Sequence, residues 1–253
     1  MSVSRRLLLL SNSTMSDKPY MEWSKDLIYQ FLGSNVKNVV FIPFAGVSID
    51  WDKYEDKVKT ALNKLNITSI HKTRNYLESI ATSDAIMIGG GNTFHLLHQL
   101  QHFNLIDAIR KRVIDDGIPY IGWSAGSNVA TPDIGTTNDM PIIWPQTESA
   151  LNLVNYNINP HYNEWKPEGH QGESRSDRLN ECIVVKKRPI VAISEGLAIR
   201  VEGDQHIVVA PDLNIPNNKR MVKIWKHNKA ANGDNIQVID ISYGQDIAPI
   251  VNN

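Results

Sequence analysis

Gly122-Trp123-Ser124-Ala125-Gly126 is a Gly-x-Ser-x-Gly sequence directly after an apolar run. A serine meant to act as a nucleophile needs this setting. A sharp strand-to-helix turn holds the hydroxyl out at the sheet edge, and small flanking residues let the turn close. The hydroxyl becomes reactive only when a base takes its proton. Of the 8 histidines, His161 is the best placed, because it follows an apolar strand and Pro160. His170, in a Gly-flanked loop, is second. The base in turn needs an orienting carboxylate. Asp139, in the polar segment 135–141, is the first candidate; Asp133 and Glu195 compete with it, and spacing alone leaves the three open.

Two further groups could assist such chemistry. Gly89-Gly90-Gly91-Asn92-Thr93 lacks the Lys-Ser/Thr ending of a phosphate loop and the spacing of a dinucleotide fingerprint. Its backbone N–H groups suit an oxyanion hole instead, beside the helix start that follows Ser124. Arg175 and Arg178 suit the grip of a carboxylate through paired hydrogen bonds. His95, His98 and His102 have the helical spacing of a metal array, but no cysteine or nearby acid completes it. We therefore expect no metal and no cofactor.

The elements that must position these residues are legible as apolar runs alternating with helical patterns. Strands are expected at Arg6–Leu10, Asn38–Ile42, Ile67–Ile70, Asp84–Ile88, Pro119–Trp123 and Asn155–Asn159. Helices are expected at Tyr20–Leu32, Asp50–Leu65, from Arg74, at Asn92–Leu100, Ile106–Asp115 and Glu173–Lys186. Ile190–Ser194, Leu197–Val201 and His206–Val209 read as closing strands with some antiparallel character. This alternation predicts an α/β fold, a mostly parallel sheet with helices on both faces. Sites in such sheets form at the carboxyl ends of strands, where the triple glycine and Ser124 both fall.

Composition narrows the class. The chain has 253 residues, 42% hydrophobic and 21% charged, which excludes a mainly disordered or collagen-like protein. No linker or repeat divides it, so one domain over 1–253 is expected. The net charge of −1 carries no global field for nucleic acid or an anionic membrane. Arg5-Arg6 before Leu7–Leu10 imitates a leader, but the apolar run stops at Ser11, shorter than the roughly 7–15 residues a leader needs. With Cys182 the only cysteine, no internal disulfide can form. A cytoplasmic protein is the expectation.

Taken together, five segments resemble peptidase E, the α-aspartyl dipeptidase family of serine peptidases. They are Ile88–Phe94, Gly122–Asn128, Thr137–Pro141, Asn159–Tyr162 and Gly169–Arg175. The resemblance runs from about Leu7 to Val209. It implies a core like that of class I glutamine amidotransferases, flavodoxin-like and three-layered, with serine in place of cysteine. It also implies cleavage of Asp-Xaa dipeptides: Ser124 as nucleophile, His161 as base and then acid, and Asp139 as orienting carboxylate. Glu195 is the possible alternative third acid. Oxyanion N–H groups would come from Gly90 or Gly91 and from Ala125. Arg175 would bind the aspartyl side chain, with Asn92 and His170 beside it as further substrate-binding candidates. The implied partner is a small acidic dipeptide, neither nucleic acid nor membrane, and a monomer or homodimer is the expectation. Such an enzyme should lose activity on acidification, as the base is protonated. Competing readings are a hydrolase of the same superfamily acting on an aspartate-rich polymer, as cyanophycinases do, and a non-catalytic small-molecule binding protein. A glutaminase is disfavoured, since Cys182 lies far from the elbow.

Overall fold

A computed structural model describes residues 4–16, 18–166, 168–169, 171–210, 221–230 and 233–252. In chain order the elements are β1 (Arg6–Leu10), α1 (Lys25–Leu32), β2 (Asn38–Ile42), α2 (Trp51–Ala61), β3 (Asn66–Ser69), α3 (Tyr76–Thr82), β4 (Ala85–Ile88), α4 (Thr93–His102), α5 (Ile106–Arg110), β5 (Tyr120–Trp123), α6 (Ala125–Val129), β6 (Asn157–Asn159), α7 (Arg175–Lys186), β7 (Ile190–Ile193), β8 (Ala198–Glu202), β9 (Gln205–Val209), β10 (Val222–Ala230), β11 (Gly233–Asp240) and α8 (Ala248–Val251). A 3-10 turn, Ile70–Lys72, follows β3, and a π-helical turn, Lys111–Asp115, continues α5.

Seven strands form the main sheet in the order β3-β2-β4-β5-β1-β8-β9. The contacts from β3 through to β1 are parallel; β8 and β9 add antiparallel pairs at one edge. Four successive leucines make β1 a central strand. Leu7 and Leu9 enter one hydrophobic core, and Leu8 and Leu10 the other, because side chains alternate across a strand. Each buried leucine contributes about 1.5–3 kcal/mol of transfer free energy, so a strand apolar on both faces stays inside. α1 and α2 cover the second face through Ile28, Phe31, Tyr54 and Val58. Leu96, Leu97 and Leu100 of α4, Ile109 of α5 and Val129 of α6 cover the first.

Several boundaries differ from those expected. The first helix starts at Lys25 rather than Tyr20, after a turn in which Met21 takes φ 60°. Gly33 ends it, as expected, at φ 74°. Asp50 caps α2, accepting the N–H groups of Asp52 and Lys53. The larger difference is a second sheet, ordered β11-β10-β7-β6. Ile158, Val191, Ile193 and Ile224 press it onto the first core. Ile190, Ala192 and Trp225 on its other face meet Leu179 and Ile183 of α7. Two of the expected closing strands, β8 and β9, complete the main sheet, whereas β7 leaves for the second one. Among the described residues no helix is long and apolar enough to cross a membrane.

Candidate active site

Ser124 joins β5 to α6. Its backbone stands at φ 53°, ψ −111°, a conformation that costs a non-glycine residue about 1–3 kcal/mol. The surroundings hold it there. The Ser124 N–H donates to the Leu10 carbonyl at 3.1 Å, and the Ser124 carbonyl accepts from Ser127 and Asn128 at 2.9 and 3.0 Å. The Ser127 hydroxyl donates to Leu10 and Gly122. A Cβ at Gly126 would run into the Ile88 carbonyl, so glycine lets the new helix lie against β4.

His161 reaches the same point from the second sheet. It follows β6 and Pro160, with φ 55°. Its N–H donates to the Ser11 hydroxyl at 2.8 Å, and that hydroxyl donates to the Ile193 carbonyl at 2.9 Å. The ends of β1 and β7 therefore position this backbone. The ring Nε2 lies 2.9 Å from Ser124 Oγ, and Nδ1 lies 2.8 Å from Glu195 Oε1. With a carboxylate at Nδ1, that nitrogen carries the proton and Nε2 is free to accept one.

Glu195 lies in the tight turn between β7 and β8. The Ser194 N–H donates to Met221, whose own N–H donates back to the Ser194 hydroxyl at 2.7 Å. Gly196 donates to Asn12 Oδ1 at 2.9 Å. β6 and β7 are parallel neighbours, so His161 and the Glu195 turn leave the sheet at the same end.

Asp139 is not the partner of His161, which corrects the first choice of orienting acid. Its Oδ2 accepts the Thr93 N–H at 2.8 Å and the Thr137 hydroxyl at 3.1 Å. Thr93 opens α4, and the first N–H groups of a helix have no intrahelical acceptor, so a carboxylate is drawn to that position. Asp133 is also elsewhere, held by Arg188 at 2.5 Å and by Asn157.

The glycine turn abuts the serine. A Cβ on Gly90 would come within 3.0 Å of Ser124 Cβ. Gly91 takes φ 138°, and a Cβ there would strike the Ala45 carbonyl. The Tyr54 hydroxyl donates to the Gly90 carbonyl at 3.0 Å and accepts from Trp123 Nε1 at 3.1 Å. In the trans peptide 90–91 the Gly91 N–H then points away from Tyr54. Among the described residues, the N–H groups of Gly90, Gly91 and Ala125 have no backbone acceptor outside regular elements. Asn92 caps α4 through His95, and its amide also donates to the Met140 carbonyl at 2.9 Å.

Arg175 is half-buried at the start of α7, 3.4 Å from Asn159 Oδ1, and makes no ion pair among the described residues. Burial, with Arg178 second, lowers its pKa from the usual arginine range. His170 lies outside the described residues. The histidines of α4 have other contacts: His95 Nδ1 meets the Phe44 carbonyl and His98 Nδ1 the Trp144 carbonyl. Burial pushes the Cys182 thiol up to about 11 and leaves it a poor source of thiolate.

A cleft of about 490 Å³ opens over Ser124 and His161, walled by Tyr20, Ala45, Ile49, Lys57 and Ile142. Sequence reasoning missed Ser11, Tyr54 and Lys57. In the sequence Ser11 only marks where the leucine run stops, and Tyr54 and Lys57 lie unremarked within the expected helix Asp50–Leu65.

Residues 7–209 match peptidase family S51. The chain belongs to this family. It is therefore a serine-type peptidase, as the sequence implied. Peptidase E of Shewanella amazonensis is 46% identical over 203 residues, 79% of this chain and 86% of that protein. Peptidase E of a Nostoc species is 44% identical over 203 residues, 79% of this chain and 84% of its own length. The crystal structure of a peptidase from an acI-B1 actinobacterium superposes with a TM-score of 0.65 at 17% identity, covering 98% of both chains; at that identity it shows the fold alone.

Proposed function

We propose that this S51 peptidase is a dipeptidase for substrates with an N-terminal aspartate, acting through an acyl-enzyme on Ser124. One chain of contacts carries the reading: Ser124 Oγ to His161 Nε2 at 2.9 Å, and His161 Nδ1 to Glu195 Oε1 at 2.8 Å. Glu195 keeps the proton on Nδ1 and stabilises the imidazolium that forms. His161 Nε2 takes the Ser124 proton as Oγ attacks the peptide carbonyl. N–H groups of Gly90 or Gly91 and Ala125 receive the oxyanion. The tetrahedral intermediate collapses, the C–N bond breaks, and the leaving amine takes the proton from Nε2. Water then enters, gives a proton to Nε2 and attacks the ester carbonyl; the C–O bond to Ser124 breaks and Oγ takes the proton back from Nε2, which restores the serine and the neutral base.

The preference for aspartate is supported by charge. Arg175 is a partly desolvated guanidinium without a carboxylate partner among the described residues, and such a group gains from an incoming anion. Asn92 lines the cleft as a second polar contact, and His170 belongs to the same proposal. The rest of the proposal is a single domain working in the cytoplasm, as a monomer or homodimer.

A dipeptide panel tests this. Wild type and Ser124→Ala are assayed on Asp-Leu, Glu-Leu, Asn-Leu and N-blocked Asp-Leu, and on an aspartate-rich polymer. Asp-Leu should be the best substrate, and Ser124→Ala should be silent. Equal rates on Asn-Leu and Asp-Leu would remove Arg175 from specificity. Faster turnover of the polymer would favour the cyanophycinase-like alternative.

A further inference from the structure

Lys57 is the only lysine or arginine among the described residues that line the cleft over Ser124 and His161, and no aspartate or glutamate lines it. Its ammonium stands 4.4 Å from the centroid of the Tyr20 ring and has no carboxylate partner among the described residues. Two of the neighbouring acids are engaged with other lysines. Glu22 pairs with Lys25 at 2.9 Å, and Glu55 pairs with Lys59 and Lys72 at 2.8 and 2.7 Å. Lys57 is anchored to the reacting region by its own helix. Tyr54, three residues earlier and so on the same face of α2, donates its hydroxyl to the Gly90 carbonyl. The Tyr20 ring lies beneath the ammonium and restrains it, on a side chain that is itself exposed.

A dipeptide with an N-terminal aspartate brings two carboxylates, the aspartyl side chain and the free carboxyl end of the leaving residue. Arg175 is not among the residues that line this cleft; its guanidinium lies 3.4 Å from Asn159 Oδ1. We propose that Lys57 receives the C-terminal carboxylate of the substrate and thereby restricts the enzyme to dipeptides. This rests on the dipeptidase reading above. A longer peptide would put a neutral amide at the ammonium and lose the ionic contact.

The test compares Asp-Leu with its C-terminal amide, Asp-Leu-NH2, in wild type, Lys57→Met and Lys57→Arg. The readout is the ratio of kcat/KM for the acid over the amide. Wild type should prefer the acid by about tenfold or more, each tenfold being 1.4 kcal/mol. Lys57→Met keeps an unbranched side chain of similar length without the charge and should bring the ratio near one, mainly through KM. Lys57→Arg should retain most of the preference. An unchanged ratio in Lys57→Met overturns the proposal. So does a loss of discrimination between Asp-Leu and Asn-Leu in that variant, which would assign Lys57 to the aspartyl side chain. Failure of the underlying reading looks different, because wild type would then cleave none of these substrates.

Discussion

Three side chains from remote parts of the sequence share one line of hydrogen bonds: Ser124, His161 and Glu195. The roles of the two acids follow from what each carboxylate touches. Glu195 faces a ring nitrogen, whereas Asp139 faces the first N–H of a helix. Glu195→Gln should lower kcat by about 10²–10⁴, because the amide can present the wrong hydrogen-bonding partner to Nδ1 and favour the unproductive tautomer. Asp139→Asn still offers an oxygen to Thr93 and should stay within about tenfold of wild type, whereas Asp139→Ala should cost about 1 kcal/mol of stability as a lost cap. Steady-state kinetics with melting curves for the three variants checks this; a collapse of kcat in Asp139→Asn with Glu195→Gln unharmed would reverse the assignment. Activity should also fall on acidification, since only a neutral His161 can take the serine proton.

Element geometry explains why the contacts close. β4, β5 and β1 are adjacent parallel strands, so the glycine turn, Ser124 and Ser11 emerge at one edge. β6 and β7, also parallel, deliver His161 and the Glu195 turn together. The Ser11 hydroxyl joins the two sets by accepting from His161 and donating to Ile193. The glycine turn tolerates little change. At Gly91 an added methyl group meets the Ala45 backbone, which is itself tied to Asn92 at 2.8 Å, and the φ of 138° is unfavourable for any side chain. Gly91→Ala should therefore destabilise by at least about 2 kcal/mol, read as a lower urea midpoint, and should displace the oxyanion donors. A variant of unchanged stability and rate would show that the turn has room to relax.

Across the whole molecule, two sheets share the first core, and the site lies where their strand ends converge. The β10–β11 hairpin adds support to the His161 side. Lys223 pairs with Glu164 at 2.6 Å, and Trp225 donates to Asn180 of α7 at 2.8 Å. At the far edge, His206 is buried beside Tyr156, and burial followed by the Arg5 charge pushes its pKa down from 6.5 to about 4, against the opposing pull of Asp246 and Asp204. Its folded value lies below its unfolded one. Stability fully present above pH 6.5 is therefore lost as pH falls towards 4. About 2 kcal/mol of acid destabilisation is expected from this residue after allowance for screening. Urea midpoints at pH 7 and pH 4.5 for wild type and His206→Gln measure it; the same pH dependence in both would exclude His206 as the source.

Composition, the four leucines of β1, the glycine turns and the elbow around Ser124 were sufficient to specify a mostly parallel α/β sheet and a serine at a strand end. These features are local: each is set by hydrophobic period or by the backbone freedom of a few adjacent residues. The choice of Glu195 over Asp139 was not local. Both acids stand in polar loops, and what separates them is the parallel pairing of β6 with β7 in a second sheet, a long-range contact that leaves no mark on the sequence around either acid. For the same reason nothing around Lys57 in the sequence singles it out; packing of α2 beside the glycine turn brings it to the wall of the cleft.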